Sequence, residues 1–116
     1  MFSLDERVAM TKEVFISLSN VEVLGFSSLL MQFVQSQNAQ MVIHGLRATA
    51  DFEYEFQLAG MNRKIYPEFE TLFLTPSEQF MFISSSLVRE VATLGGDVHA
   101  FVSPTVEEAI KQKLGD

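Results

Sequence analysis

The sequence contains no cysteine. Disulfides, thiolate catalysis and cysteine-ligated metal sites are therefore excluded. Histidine is nearly as scarce, with only His44 and His99, and two isolated histidines do not make a metal site. Basic residues are few as well: 8 Lys and Arg stand against 15 Asp and Glu, a formal net charge of −7. The basic face of a general nucleic-acid binder is missing, so any phosphate ligand must be held by a local cluster of donors. No apolar run approaches the ~20 residues of a membrane span, and the first residues lack the pattern of a signal peptide. The expectation is a cytoplasmic protein that binds neither nucleic acid nor membrane. Internal repeats, low-complexity segments and linkers are also absent.

The 116 residues present are 47% hydrophobic and 20% charged. That fits a single domain, residues 1–116, with a sizeable core. Ser3-Leu4-Asp5-Glu6 matches a capping box, opening a helix to about Leu18 with Leu4, Val8, Val14 and Phe15 inward. Val21–Phe26 reads as a short strand after the turn residue Asn20. Ser27 or Ser28 is expected to cap a second helix through Leu30, Phe33 and Val34, ending near Gln37-Asn38. Strand Met41–His44 follows, then a helix from Thr49 or Asp51 to about Arg63, with Pro67 at or just beyond its end. Glu70–Thr75 reads as a third strand. A helix from Ser84 or Ser85 to about Leu94 closes on Gly95-Gly96, and Ser103-Pro104 opens the last one. Helices and strands alternate at regular spacing, which predicts an α/β fold with a parallel sheet and ligands at the carboxyl ends of its strands.

Two clusters carry chemistry. In Met41–Arg47 an apolar run ends in Gly45 and a basic residue, immediately before a helix start. Helix starts present unpaired N–H groups and the positive end of a dipole, and Arg47 adds a fork of donors suited to phosphate. Many α/β turns carry one arginine and bind nothing, so the stretch alone leaves the matter open. The second cluster, Ser84-Ser85-Ser86 with Arg89 one turn on, offers hydroxyls beside free N–H groups, although a serine run before a helix is more often only a cap. On the helix after Arg47, Glu55 and Asn62 share a face. Glu55 is placed to accept from ribose hydroxyls and Asn62 to read an amide, or either is simply an exposed helix residue. Phe52, Phe56 and Ala59 form a neighbouring stripe read as core. His44 is a phosphate donor when protonated; His99 has no partner visible in the sequence.

Taken together, His44-Gly45-Leu46-Arg47-Ala48, Asp51–Ala59, Met61-Asn62-Arg63 and Ile83–Val88 resemble bacterial phosphopantetheine adenylyltransferases, and the likeness runs over essentially the whole chain. The resemblance implies a Rossmann-like parallel sheet with flanking helices. It also implies transfer of AMP from ATP to 4′-phosphopantetheine, giving dephospho-coenzyme A and pyrophosphate by direct in-line attack with magnesium assisting. Carried over by position, Gly45, Leu46, Arg47, Glu55, Phe80, Met81, Phe82, Ile83, Ser84, Ser85 and Ser86 would contact ATP, with Arg47 catalytic. Leu30, His44, Met61, Asn62 and Glu90 would line the pantetheine side. The family also implies a homo-hexamer and dephospho-coenzyme A or coenzyme A as product or feedback ligand.

Two departures stand out. Position 44 is usually arginine in the family, and His44 reaches less far, so phosphate binding there should weaken. No Gly-His dipeptide occurs in the sequence, and the family's Gly-Thr-Phe-Asp-Pro segment and Thr-x-Gly-His motif have no counterpart. The expectation is a sheet without its first two strands, by truncation, alternative start or gene decay. Strand 21–26 would then be separated from strand 41–44, and the chain alone would be marginal, rearranged or swapped with a partner. The departures weigh against activity of this chain by itself. Two rivals stay open: a non-catalytic homologue that binds nucleotide or serves as an oligomer surface, and an unrelated α/β domain with a chance phosphate loop.

Overall fold

Ser3 caps the first helix as its capping box predicts: its hydroxyl accepts from the Glu6 amide, and Glu6 returns a bond to the Ser3 amide at 2.7 Å. The computed structural model describes every residue except Ala48 and Asp116, and omits the side chains of Thr49, Ala50 and Asp51. Which of Thr49 and Asp51 caps the helix after Arg47 therefore lies outside the described residues. The elements are α1 (Leu4–Val14), α2 (Leu30–Ser36), β1 (Met41–Gly45), α3 (Thr49–Ile65), β2 (Glu70–Leu74), α4 (Ser85–Thr93) and α5 (Pro104–Leu114), with a short 3₁₀ turn over Glu78–Phe80. Contacts gather in two units, Met1–Gly25 with Ile83–Asp116, and Phe26–Phe82.

In the Phe26–Phe82 unit, β1 and β2 form a parallel pair with Met41 opposite Glu70 and Gly45 opposite Leu74. The α/β class with a parallel sheet and flanking helices holds. α3 is the crossover helix that two parallel neighbours require. The core is small: Met31 and Val34 of α2 close on Phe69, with Leu30, Ala39, Val42 and Tyr66 packed around them. Phe26 stacks on Phe33 at 4.4 Å. Neither Ser27 nor Ser28 caps α2; its N-cap is Leu29, which makes no side-chain cap bond, and the Ser28 hydroxyl donates to the Leu29 carbonyl instead. The α3 stripe is less buried than its spacing suggests. Phe52 and Phe56 are exposed although Phe52 stacks on Phe56 and meets the edge of Phe73.

In the other unit, Ala92 of α4, Val98 and Ile110 of α5 are buried together, with Phe2, Val88, Val91, Val102 and Val106 around them. Ser84 caps α4 and Ser103 caps α5 with Pro104 behind it. Gly95 (φ +80°) closes α4 in the left-handed conformation that glycine adopts without strain. Lys113 of α5 reaches Glu6 of α1 at 2.8 Å. The helix α1 stops at Val14 rather than Leu18 and has no buried residue. Leu4 and Val8 are half-buried, and Val14 and Phe15 are exposed. Leu4 and Val8 lie against the backbone of Gly25, where an added Cβ would stand 2.9 Å from Val8 Cγ2.

No strand forms over Val21–Phe26. Among the described residues, the Val21 amide bonds back to the Leu18 carbonyl in a turn, and β1 pairs only with β2. Alternating apolar residues mark a segment fit for a sheet, but a strand exists only where a neighbour takes up its N–H and C=O groups. Among the described residues nothing pairs with Val21–Phe26 in a sheet.

Candidate functional site

The carboxyl end of β1 carries the first cluster. Register with β2 continues one residue past the strand, where the Leu46 amide donates to the Leu74 carbonyl at 2.8 Å. Leu46 is buried and anchors the turn, while Gly45 and Arg47 on either side are exposed. Space around Gly45 is open, with no atom near a Cβ placed there. The strand thus ends in an uncovered glycine and a guanidinium immediately ahead of α3, the arrangement that favours an anion.

His44 points to the α3 side of the sheet. Its Nδ1 lies 3.6 Å from Glu55 Oε2, both side chains half-buried, and its ring stands tilted 6.3 Å from Phe73. At that separation the contact is too long for a hydrogen bond. The structure therefore brings together His44 and Glu55, which sequence reasoning assigned to different substrates. Glu55 and Asn62 differ in exposure: Asn62 is buried at 9% while its neighbour Met61 is 65% exposed. No described buried side-chain polar atom lacks a partner. Leu30 starts α2 and packs at the edge of the small core.

After β2 the chain turns through Pro76 into Glu78–Phe80, and Phe80, Met81 and Phe82 all lie exposed, Phe82 at 83%. A cavity of about 230 Å³ lies between α3 and β2, lined by residues that include Phe56, Arg63, Phe69 and Glu70. Arg63 and Glu70 form an ion pair there. Glu70 begins β2, so this cavity's polar rim lies at the opposite end of the strand pair from Arg47.

The serine cluster belongs to the other unit. Ser84 Oγ accepts from the Leu87 amide at 3.1 Å and Ser86 Oγ from Arg89 Nη2 at 3.3 Å. One serine is thus the cap and one is held by the arginine a turn on, while Ser85 is exposed at the first helical position. Ile83 is half-buried before the cap, and Glu90 is exposed on the helix.

His99 is not without partners, contrary to the expectation from sequence. Its Nδ1 is 3.0 Å from Glu107 Oε2, and its amide donates to Asp97 Oδ1 at 2.9 Å. The eight-residue spacing from His99 to Glu107 crosses a turn and matches no helix or strand period, so no periodic signal announced it. Glu107 also meets Lys111 Nζ at 2.8 Å, one helical turn on. The Lys111 hydrogen bond, and after it the one from His99, holds the Glu107 carboxyl below its usual range. Glu107 in turn raises both His99 and Lys111.

Comparison with known proteins gives a consistent result. The cytidylyltransferase-like family model matches residues 1–91. A phosphopantetheine adenylyltransferase of Nitrosomonas eutropha is 63% identical over 112 residues, covering 97% of this chain and 68% of its own length. One from Methylobacillus flagellatus is 62% identical over 114 residues, covering 98% and 71%. A third, from Thioalkalivibrio sulfidiphilus, is 59% identical, covering 98% and 72%. The chain thus spans about seven tenths of the length of these relatives.

Proposed function

This chain belongs to the phosphopantetheine adenylyltransferase family, and we propose that it serves coenzyme A biosynthesis by moving an adenylyl group from ATP to 4′-phosphopantetheine. Dephospho-coenzyme A and pyrophosphate are the products. The observation that carries the reading is the end of β1: an open Gly45, an anchored Leu46 and an exposed Arg47 at the entrance to α3. One phosphate attacks the α-phosphate of the other substrate directly, so catalysis comes from holding the two in line and stabilising developing negative charge.

In this proposal Arg47 supplies the charge-stabilising donors, and Gly45 and Leu46 let the backbone approach the nucleotide. Glu55 accepts from ribose. Phe80, Met81 and Phe82 offer exposed apolar surface, and Ile83, Ser84, Ser85 and Ser86 offer the donors of the α4 start. Leu30, His44, Met61, Asn62 and Glu90 are assigned to the pantetheine substrate. The burial of Asn62 and Leu30 favours a supporting wall for those two over an outward-reaching contact. Among the described residues no group of three or more His, Asp or Glu is placed to hold a metal ion. In the proposal magnesium enters as a companion of the nucleotide's phosphates. No described helix is long and apolar enough to cross a membrane. A cytoplasmic homo-oligomer, with dephospho-coenzyme A as a further ligand, completes the proposal.

A second reading is nucleotide binding without turnover. One experiment separates the two. The purified chain is titrated with ATP and with dephospho-coenzyme A, and pyrophosphate release is assayed. Binding with turnover supports adenylyl transfer, binding alone supports the second reading, and binding of neither refutes both. Arg47→Ala should weaken ATP binding roughly ten- to a hundredfold, the loss expected for hydrogen bonds to a charged group. Unchanged affinity in that variant would remove Arg47 from the site.

A further inference from the structure

Glu107 meets two basic side chains at once. Its Oε1 takes the Lys111 ammonium at 2.8 Å and its Oε2 faces His99 Nδ1 at 3.0 Å. His99 is fixed from its own side by Asp97, whose carboxylate accepts the His99 amide. These contacts span the connection between α4 and α5. Next to them, Val98 is 5% exposed and packs with Ala92 and Ile110. A cavity of about 300 Å³ lies here, lined among others by Gly96, Val98, Glu107, Ile110 and Leu114.

We propose that the Gly95–Phe101 connection is a proton-controlled latch, closed on α5 while His99 carries a charge and loosened when His99 is neutral. The geometry supplies its parts: a hinge at Gly95, which has φ +80° and donates back to Ala92; a catch, His99 on Glu107; and a seat, Val98 in the core beside the cavity. The charged groups acting on His99 are Glu107 and Lys111 from α5 and Asp97 from the connection itself. Among the described residues, α4 makes no hydrogen bond or ion pair to the ring.

The direction of the response follows from these partners. The hydrogen bond and charge of Glu107, with Asp97 adding, raise His99 above its ordinary 6.5, and Lys111 opposes. A raised histidine stabilises the closed latch fully below its ordinary value, and that contribution is lost as pH rises through the raised folded value. Glu107 is lowered from 4.5, so its half of the catch is lost only as pH falls below the ordinary carboxylate range. The latch is therefore held most firmly between these two limits. Opening it frees Val98 and widens the cavity beneath Glu107.

The test is amide exchange by NMR on the full chain, wild type against His99→Gln, read as protection factors for Val98–Phe101. Near pH 6 the wild type should be roughly 1.5- to 5-fold better protected, the range for an exposed ion pair. As pH rises through the raised His99 value the difference should disappear. A second measurement does without the His99 variant: the His99 ring titration should move down in Glu107→Gln and up in Lys111→Gln. Equal protection near pH 6, or shifts of the same sign in the two α5 variants, would overturn the latch.

Discussion

Phe69 is the residue on which the Phe26–Phe82 unit depends, and Phe69→Ala tests that dependence. The side chain is 2% exposed at the start of β2, closed in by Met31 and Val34 of α2 and by Tyr66, whose ring centroid is 6.4 Å away. Among the described residues the buried cluster here is Met31, Val34 and Phe69, with Leu30, Ala39, Val42 and Tyr66 only partly buried around it, so there is little buried material that can collapse into the vacated space. Truncating a buried phenylalanine costs about 3–5 kcal/mol, and the poor prospects for collapse place this case in the upper half of that range. The unit is just under half of the 116-residue chain. At roughly 0.05–0.15 kcal/mol per residue its own stability is about 3–9 kcal/mol. The substitution therefore removes from about half to all of it. The assay is urea unfolding followed by tyrosine fluorescence. The chain has no tryptophan, and both of its tyrosines, Tyr54 and Tyr66, lie in this unit. Phe69→Ala should roughly halve the tyrosine-detected midpoint or abolish the transition. A loss below about 2 kcal/mol with an unchanged denaturant slope would refute the account of the core.

Two further outcomes follow from the helix ends and the surface charges. Ser84→Ala removes the hydroxyl that accepts the Leu87 amide at 3.1 Å and should cost about 1 kcal/mol in chemical denaturation, whereas Ser84→Gly should cost only a few tenths. Equal losses would mean that the hydroxyl is not the cap. Glu6 is held below its usual 4.5 first by its hydrogen bond from Lys113 and then by the Ser3 amide. A lowered carboxylate stabilises the fold above its unfolded value and stops doing so as pH falls through the folded one. The melting temperatures of wild type and Glu6→Gln should therefore differ near neutrality and converge as pH falls through the lowered Glu6 value, below its usual 4.5. A difference that stays constant down to acid pH would show that the pair does not titrate with the fold.

The elements that could be read in the sequence are those whose signals are local. Ser3 with Glu6, Ser84, and Ser103 with Pro104 each satisfy helix N–H groups within three residues, so the pattern alone places the caps. Gly95 marks the end of α4 because a left-handed residue is needed there. β1 and β2 were likewise legible, bounded by a glycine and by Pro76. What escaped was set by distant partners. The inward face of α1 could not be known from its spacing, because spacing names a stripe without naming what covers it. The contact of His44 with Glu55 crosses from a strand to a helix, and that of His99 with Glu107 crosses a turn. Neither follows any single repeat.

Val21–Phe26 shows the same limit most sharply, and the sheet itself explains why. β1 and β2 alternate along their length, yet beside Glu70 four of their outward positions are apolar: Met41, Ile43, Leu72 and Leu74 are 51%, 61%, 47% and 58% exposed. Apolar residues on both faces belong to a parallel strand covered on both sides, and here one face meets solvent. Val21–Phe26 has the composition of another such strand and takes no part in the sheet. The strand patterns thus describe a larger buried sheet than the two strands make. Segments that depend on that larger sheet are where reading and structure part. The end of β1, with Gly45, Leu46 and Arg47, depends only on pairing with β2 and on the start of α3, and there the two agree.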